Sequence, residues 1–121
     1  MNIHKSAEDY LEMILMLRLE KGFARSVDIA ARLGVTKPSV SFAMKQLREN
    51  GYISMDTESL ITLTDKGEEI ARRMYARHTV LTDFLIRLGV SEDAAREDAC
   101  RIEHDISQET FDAICKQMKR D

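Results

Sequence analysis

One glycine and one proline divide the most constrained stretch of this chain into two short helices. The stretch is S-V-D-I-A-A-R-L-G-V-T-K-P-S-V-S, residues 26–41. Gly34 is typical of a residue that ends a helix, because glycine adopts the left-handed conformation of a helix C-terminus without steric cost. Pro38 is tolerated in the first turn of the following helix, where a backbone N–H has no partner to lose. The sequence therefore predicts two helices joined by a tight turn.

The segments around this pair predict a helix before it and a hairpin after it. An apolar stripe at helical spacing follows Ser6, and Ser26 and Thr36 are the expected N-caps of the paired helices. Residues 52–64 change to a strand-like pattern with a polar tip at 56–59, which predicts a β-hairpin. Helix, short helix, turn, helix and hairpin is the order of a winged helix-turn-helix, whose second paired helix enters a DNA major groove.

The rest of the chain predicts further helices. A long helix is expected over 65–88, followed by helices over about 92–105 and up to about residue 119. Their expected N-caps are Thr64, Ser91 and Ser107. The predicted fold class is mainly α, with a winged helix-turn-helix domain that has a small β-hairpin wing over 1–64 and a helical domain over 65–121.

Charge is distributed unevenly along an acidic chain. The net charge is −3, yet residues 21–50 carry six basic and two acidic side chains, a balance of +4. This basic island predicts contact with phosphates, and chance clustering on a solvated face is the alternative. Winged helices also bind proteins, so a protein partner remains an alternative to DNA. The candidate DNA-contacting residues are Arg25, Thr36, Lys37, Pro38, Ser39, Ser41, Lys45 and Arg48.

Candidate metal ligands occur in the segment C-R-I-E-H, residues 100–104. Cys100, Glu103 and His104 are spaced i, i+3 and i+4, so on a helix they share one face. A transition metal takes four to six ligands, so other residues must contribute. The further candidates are Asp9, Glu12 and His78.

Each candidate ligand also has an ordinary structural interpretation. Asp9 follows Ser6 by three residues and could belong to a helix-capping pair. Glu12 could be solvated, Cys100 could be a small buried hydrophobe and His78 could be a hydrogen-bonded core histidine. The three ligand types within one turn are what favour a metal.

At these residues the sequence resembles the metal-dependent repressors related to the diphtheria toxin repressor and the manganese transport regulator. The resemblance covers nearly the whole chain. Its motifs are S-A-E-D-Y-L-E-M-I, the helix-turn-helix stretch, L-T-x-K-G, R-H at residues 77–78 and D-A-C-R-I-E-H-D-I-S, of which the last is the most specific. The resemblance implies homodimers with a helical dimerisation domain, in which metal fixes the spacing of the two DNA-binding heads.

The resemblance also implies a mixed ligand set. Asp9, His78, Cys100, Glu103 and His104 match metal-ligand positions, and Glu12 matches one used in the manganese branch. Asp9 and Glu12 are similar to the manganese regulators, whereas Cys100 is similar to the iron regulators.

Three departures from the iron branch accompany this mixture. Thr82 and Arg96 replace ligands of that branch's ancillary site, and Phe42 replaces a polar residue of its recognition helix. The chain's end at Asp121 is expected to leave no room for the third domain of the iron branch.

The predicted function is a metal-dependent transcriptional repressor that binds double-stranded operator DNA as a homodimer and controls metal homeostasis. Its cofactor is expected to be Fe²⁺ or Mn²⁺, with Co²⁺, Zn²⁺ or Ni²⁺ able to substitute. The dimer is expected to use the helices after Ser91, whose apolar residues are Ile102, Ile106, Phe111, Ile114 and Met118. The alternatives are a winged-helix regulator that responds to an organic ligand or a protein, and a small metalloenzyme.

Cellular context is predicted from what the sequence lacks. No apolar run approaches the ~18–20 residues that span a bilayer, and the N-terminus lacks the pattern of a signal peptide. Cys100 and Cys115 are too few for a disulfide framework. We therefore expect a cytoplasmic protein that is not an enzyme, with no membrane partner and no small organic substrate.

Overall fold

The computed structural model describes residues 5–119, which form six helices and one two-stranded antiparallel sheet. The elements are α1 Lys5–Lys21, α2 Ser26–Leu33, α3 Lys37–Glu49, β1 Ile53–Met55, β2 Ile61–Leu63, α4 Asp65–Arg87, α5 Glu92–Ile102 and α6 Gln108–Lys119. The chain forms two compact units that divide between Arg72 and Arg73, inside α4. The mainly helical fold with a β-hairpin is confirmed.

The first unit is built around the buried stripe of α1. Helices α2 and α3 pack on each other and on α1, and the hairpin packs against α1 and α3. Apolar residues recur at helical spacing on α3, which buries one face and leaves the other exposed, whereas no residue of α1 from Ala7 to Arg18 is fully exposed. The buried residues of the three helices include Leu11, Ile14, Leu15, Leu17, Ile29, Val40, Met44 and Leu47.

The turn between α2 and α3 has the predicted chemistry. Gly34 adopts the left-handed conformation, with φ of 68°, and its N–H donates to the carbonyl of Ala30 at 3.0 Å. Thr36 caps α3, since its hydroxyl oxygen accepts from the backbone N–H of Ser39 at 3.3 Å. Pro38 lies in the first turn of α3. The orientation of α3 is thus fixed by local capping at both sides of the turn.

The predicted cap of α2 is wrong by one residue. Ser26 is the first residue of the helix, and Arg25 occupies the N-cap position without a side-chain capping bond. The reason is that the Arg25 carbonyl already accepts from the N–H groups of Asp28 and Ile29, both at 3.1 Å. The helix therefore starts at the residue that was expected to precede it.

The hairpin is the predicted wing. Strands β1 and β2 pair antiparallel in the register Ile53↔Leu63, and the tip lies at residues 56–60. The Asp56 carboxylate accepts from the N–H groups of Glu58 and Leu60 at 2.8 and 3.0 Å, which closes the turn. The apolar ends of the strands are buried in the same core as the helices.

Helix α4 begins against the hairpin. The Thr64 hydroxyl oxygen accepts from the Gly67 N–H at 3.3 Å, which confirms the predicted cap. A Cβ at Gly67 would lie 2.0 Å from the Tyr52 carbonyl oxygen, so only glycine permits this approach. Arg18 of α1 also donates both terminal nitrogens to the carboxylate of Glu68, each at 2.7 Å.

The second unit contains the rest of α4 with α5 and α6. Ser91 and Ser107 cap α5 and α6, because their hydroxyl oxygens accept from the N–H groups of Ala94 and Thr110. Helix α5 ends at Ile102, three residues earlier than predicted. Within the described residues 5–119, no helix is long and apolar enough to cross a membrane.

Candidate functional site

The exposed face of α3 carries the residues predicted to contact DNA. All eight candidates, including Arg25 before α2, are exposed to solvent. Val40, Met44 and Leu47 hold the opposite face of α3 in the core. The second helix of the pair therefore presents its polar N-terminal turn outward, as a helix that enters a groove must.

Ion pairs divide the basic island into two groups. Lys21 lies 3.3 Å from Asp28, and Arg32 lies 2.5 Å from Glu20. The Arg32 guanidinium lowers the pKa of the Glu20 carboxyl. The four cations predicted to bind phosphate, Arg25, Lys37, Lys45 and Arg48, form no ion pair with the described residues. They are therefore available to DNA phosphates.

Two of the predicted hydroxyls already have a structural role. The Thr36 hydroxyl donates to the Ser39 hydroxyl at 2.8 Å while it caps the helix. Each hydroxyl therefore has less hydrogen-bonding capacity left for the edge of a DNA base. Ser41 is exposed one turn further along α3 and has no such bond among the described residues.

Three predicted metal ligands come together in the second unit. The ligand atoms of His78, Cys100 and Glu103 all lie within 4.8 Å of one another. His78 Nδ1 is 3.1 Å from Glu103 Oε2 and 3.7 Å from Cys100 Sγ. Helix α4 supplies the imidazole, α5 supplies the thiol, and the turn after α5 supplies the carboxylate. These atoms are close enough to share one ion at ordinary ligand distances of ~2.0–2.3 Å.

Burial of the carboxylate makes a cation favourable here. Glu103 is 0% exposed, and the His104 side chain beside it is 2% exposed. His104 Nε2 lies 3.4 Å from Glu103 Oε1. Because a buried carboxylate is costly unless it is paired, a divalent cation held by Glu103 and its neighbours fits the chemistry of this donor set. Cys100 is exposed, which leaves one side of the cluster open to solvent.

Sequence reasoning missed the residue that holds the turn of Glu103 and His104. Arg77 is buried on α4, and it donates to the carbonyls of Glu103 at 2.9 Å and Ile106 at 3.1 Å. It also donates to the Gln108 side chain at 3.1 Å and lies over the Phe111 ring. Carbonyls at a helix C-terminus need donors, so Arg77 explains why α5 ends at Ile102. The signal available in the sequence was Arg77 itself, a basic residue at a core position of α4 between Met74 and Leu81.

The two remaining ligand candidates lie on α1 in the first unit. Asp9 is half-buried and Glu12 is buried, one helical turn apart. Glu8 is a further buried carboxylate on this helix, which was not predicted. At the positions of the iron branch's ancillary site, the Thr82 hydroxyl donates to the His78 carbonyl at 2.7 Å and Arg96 pairs with Glu92. Neither of those contacts involves a side-chain atom of a predicted metal ligand.

A winged helix-turn-helix joined to a helical unit with a His–Cys–Glu cluster defines the class of metal-responsive DNA-binding regulators. The chain belongs to the iron-dependent repressor family. Residues 2–59 match the family's N-terminal DNA-binding domain, and residues 64–120 match its metal-binding and dimerisation domain.

Named relatives and solved structures agree with this assignment. The chain is 46% identical over 107 residues to the transcriptional regulator MntR of Salmonella typhimurium strain LT2, covering 88% of this chain and 68% of that protein. It superposes on IdeR of T. acidophilum with a TM-score of 0.84 at 27% identity. It superposes on a manganese-dependent transcriptional repressor in complex with manganese with a TM-score of 0.81 at 28% identity.

Both of these solved relatives are longer than this chain. The match covers 98% of this chain and 55% of IdeR, and 93% of this chain and 52% of the manganese-bound repressor. The chain thus spans about half the length of these two solved structures.

Proposed function

We propose that this protein is a metal-dependent transcriptional repressor that binds operator DNA as a homodimer and controls metal homeostasis in the cytoplasm. The observation that carries the proposal is the cluster of His78, Cys100 and Glu103 within 4.8 Å. Family membership and the exposed basic face of α3 support the DNA-binding half of the proposal.

The proposed ligand set consists of Asp9, Glu12, His78, Cys100, Glu103 and His104. Asp9 and Glu12 would bring carboxylates from the DNA-binding half of the chain, and the other residues come from the helical half. A bound divalent cation supplies positive charge that offsets the mutual repulsion of these groups. Carboxylate and imidazole suit Mn²⁺ and Fe²⁺, whereas the Cys100 thiolate favours Fe²⁺, Co²⁺ or Zn²⁺.

Repression follows from the coupling of two binding events. Without a cation, repulsion among the carboxylates and the thiolate favours a variable arrangement of the DNA-binding heads. When the ligands are tied together, DNA binding no longer carries the full entropic cost of fixing two heads. The coupling free energy in such systems is typically about 1–3 kcal/mol.

The proposed homodimer uses the apolar side of the last helices. Helix α6 has no fully buried residue, and Ile114 lines a cavity of about 280 Å³ with Phe84 of α4. A 12-residue helix with apolar residues at Phe111, Ile114 and Met118 would bury this surface against a second copy.

The test is DNA binding measured under controlled metal. Fluorescence anisotropy on a labelled fragment of the protein's own promoter region, run anaerobically, is expected to show tight binding with Fe²⁺ or Mn²⁺ and weak binding in chelator. Glu103→Gln keeps the shape of the side chain and removes its charge, so it should abolish the metal effect.

Glu97→Gln is the matched control, since Glu97 lies exposed on the same helix α5. It should behave as the wild type does. Equal DNA binding in chelator and in every metal would contradict the repressor mechanism, even if the winged helix still binds DNA.

A further inference from the structure

The centre of the exposed face of α3 is an aromatic ring. A helix turns by about 100° per residue, so Phe42 lies about 200° from Val40, which is 0% exposed in the core. Phe42 is 65% exposed. The buried residues Met44 and Leu47 fall on the same side as Val40, which directs Phe42 away from the core.

The neighbours of Phe42 make a short apolar strip with a polar border. Pro38 precedes it by four residues and therefore lies next to it on the exposed face. Ser39 and Ser41 flank the strip, and Lys45 follows one turn later. Neither apolar side chain offers a hydrogen-bond donor or acceptor, so neither can read a base through polar contacts.

We propose that Phe42 is a specificity-determining residue that packs against the 5-methyl group of thymine in the operator's major groove. The inference rests on the proposed DNA-binding function. The thymine methyl is the apolar group that a base pair presents in the major groove. The exposed cations Lys37, Lys45 and Arg48 on the same helix suit the phosphates beside a groove, which favours DNA over a protein partner as the occupant.

The methyl contact predicts a requirement that differs from ordinary base pairing. Uracil pairs as thymine does and lacks only the methyl group, so a thymine-to-uracil exchange removes the proposed contact alone. Burial of one methylene-sized group is worth ~0.8 kcal/mol, which corresponds to about a fourfold change in affinity. Replacing a thymine that Phe42 contacts by uracil should therefore weaken DNA binding about fourfold.

The experiment first selects binding sites from a random duplex library with metal-loaded full-length protein. Each thymine of the selected site is then replaced by uracil, and affinities are measured for the wild type and Phe42→Ala. At one or more positions the wild type should lose about fourfold, and Phe42→Ala should bind the thymine and uracil forms equally. Such a thymine is also replaced by cytosine or by 5-methylcytosine. The wild type should bind the 5-methylcytosine site more tightly than the cytosine site, and Phe42→Ala should bind the two alike.

Leu88→Ala is the matched control, because Leu88 is also 65% exposed and lies after α4 in the second unit. It should keep the wild-type response to uracil. Thermal unfolding of Phe42→Ala should match the wild type, since the ring is exposed.

Three outcomes would count against the inference, and they are distinguishable. Selection of a metal-dependent site whose uracil forms bind both proteins alike would overturn the role of Phe42 and leave the proposed function standing. Altered self-association of Phe42→Ala with unchanged DNA binding would assign the ring to a protein contact instead. Failure to select any metal-dependent site would overturn the proposed function and this inference together.

Discussion

At the scale of single residues, the proposed metal cluster combines candidate ligands of different softness. Glu103 is fully buried and Cys100 is exposed, so the hard and the soft ligand occupy different environments within one site. The imidazole of His78 lies close to both. In the proposed site we expect metal preference to depend on Cys100 more than on the buried carboxylate, because a thiolate discriminates among divalent ions more strongly than a carboxylate does.

Cys100→Ser should shift metal preference away from soft ions. We expect affinity for Zn²⁺ and Co²⁺ to fall by at least ~10- to 100-fold, since loss of a residue that only supports a ligand already has an effect of that size. Affinity for Mn²⁺ should change less. The thiolate-to-cobalt charge-transfer absorption should disappear. Cys115→Ser is the control, because Cys115 lies on α6 outside the cluster. Retention of the cobalt band in Cys100→Ser would show that the thiol is not a ligand.

Arg77→Met should loosen the turn that carries Glu103 and His104. The variant leaves the carbonyls of Glu103 and Ile106 without their donor, and bonds to a charged group are worth about 1.5–3 kcal/mol each. We expect a lower melting temperature of the metal-free protein and a ~10- to 100-fold loss of metal affinity, as for other residues that orient ligands. Calorimetry and metal titration measure the two effects.

Arg87→Met is the comparison for this prediction. Arg87 lies on the same helix, is exposed, and donates to the carbonyl of Met118 at 3.3 Å, far along the chain from the metal cluster. Its variant should retain metal affinity. A metal affinity of Arg77→Met equal to that of the wild type would limit Arg77 to a purely structural role.

At the scale of elements, the first unit is tied together where α1 meets the start of α4. Arg18 and Glu68 form a two-bond ion pair at 2.7 Å, and Arg72 also contacts the Glu68 carboxylate. The hydrogen bonds from Arg18 lower the pKa of Glu68 below its ordinary value of 4.5. Position 67, which only glycine fits, lets the first turn of α4 pack closely against the Tyr52 carbonyl beside the hairpin.

The Arg18–Glu68 pair should make the stability of the first unit depend on acid pH. Because the folded-state pKa of Glu68 is lowered, the unfolded state binds more protons in this range and stability falls as pH decreases. The contribution is present above a pH of about 4.5 and is lost below it, and it amounts to about 1 kcal/mol for a partly exposed pair. The free energy of unfolding in urea, followed from about pH 6 to about pH 3, should fall less in Glu68→Gln than in the wild type.

Glu69→Gln serves as the matched control for the acid series. Glu69 is exposed and lies next to Glu68 on α4. It should follow the wild-type pH dependence. If Glu68→Gln also follows it, the ion pair contributes nothing measurable to stability.

At the scale of the whole molecule, the proposed mechanism is a linkage between two binding events. A cation that promotes DNA binding must bind more tightly when DNA is present, by the same factor. Removal of metal with a chelator should therefore weaken DNA binding by about 5- to 150-fold, and addition of operator DNA should raise metal affinity by an equal amount. Anisotropy and metal titration measure the two factors, and unequal values would contradict the linkage.

The sequence alone was sufficient for the elements and for most of the helix caps. Gly34, Thr36 and Pro38 specify the turn through local backbone preferences, which do not depend on distant contacts. The spacing of Cys100, Glu103 and His104 pointed to a metal, because unlike ligand types rarely fall within one turn by chance.

The tertiary structure decided where the chain's polar groups find their partners. It showed that α5 ends at Ile102 because a buried Arg77, 26 residues before Glu103 in the sequence, donates to the carbonyls of the following turn. It also placed His78 of α4 against Glu103 and Cys100, and showed that Lys21 and Arg32 of the basic island form ion pairs. Helix ends and side-chain pairs of this kind depend on residues remote in sequence, whereas propensity and capping act within a few residues, so only the folded chain could reveal them.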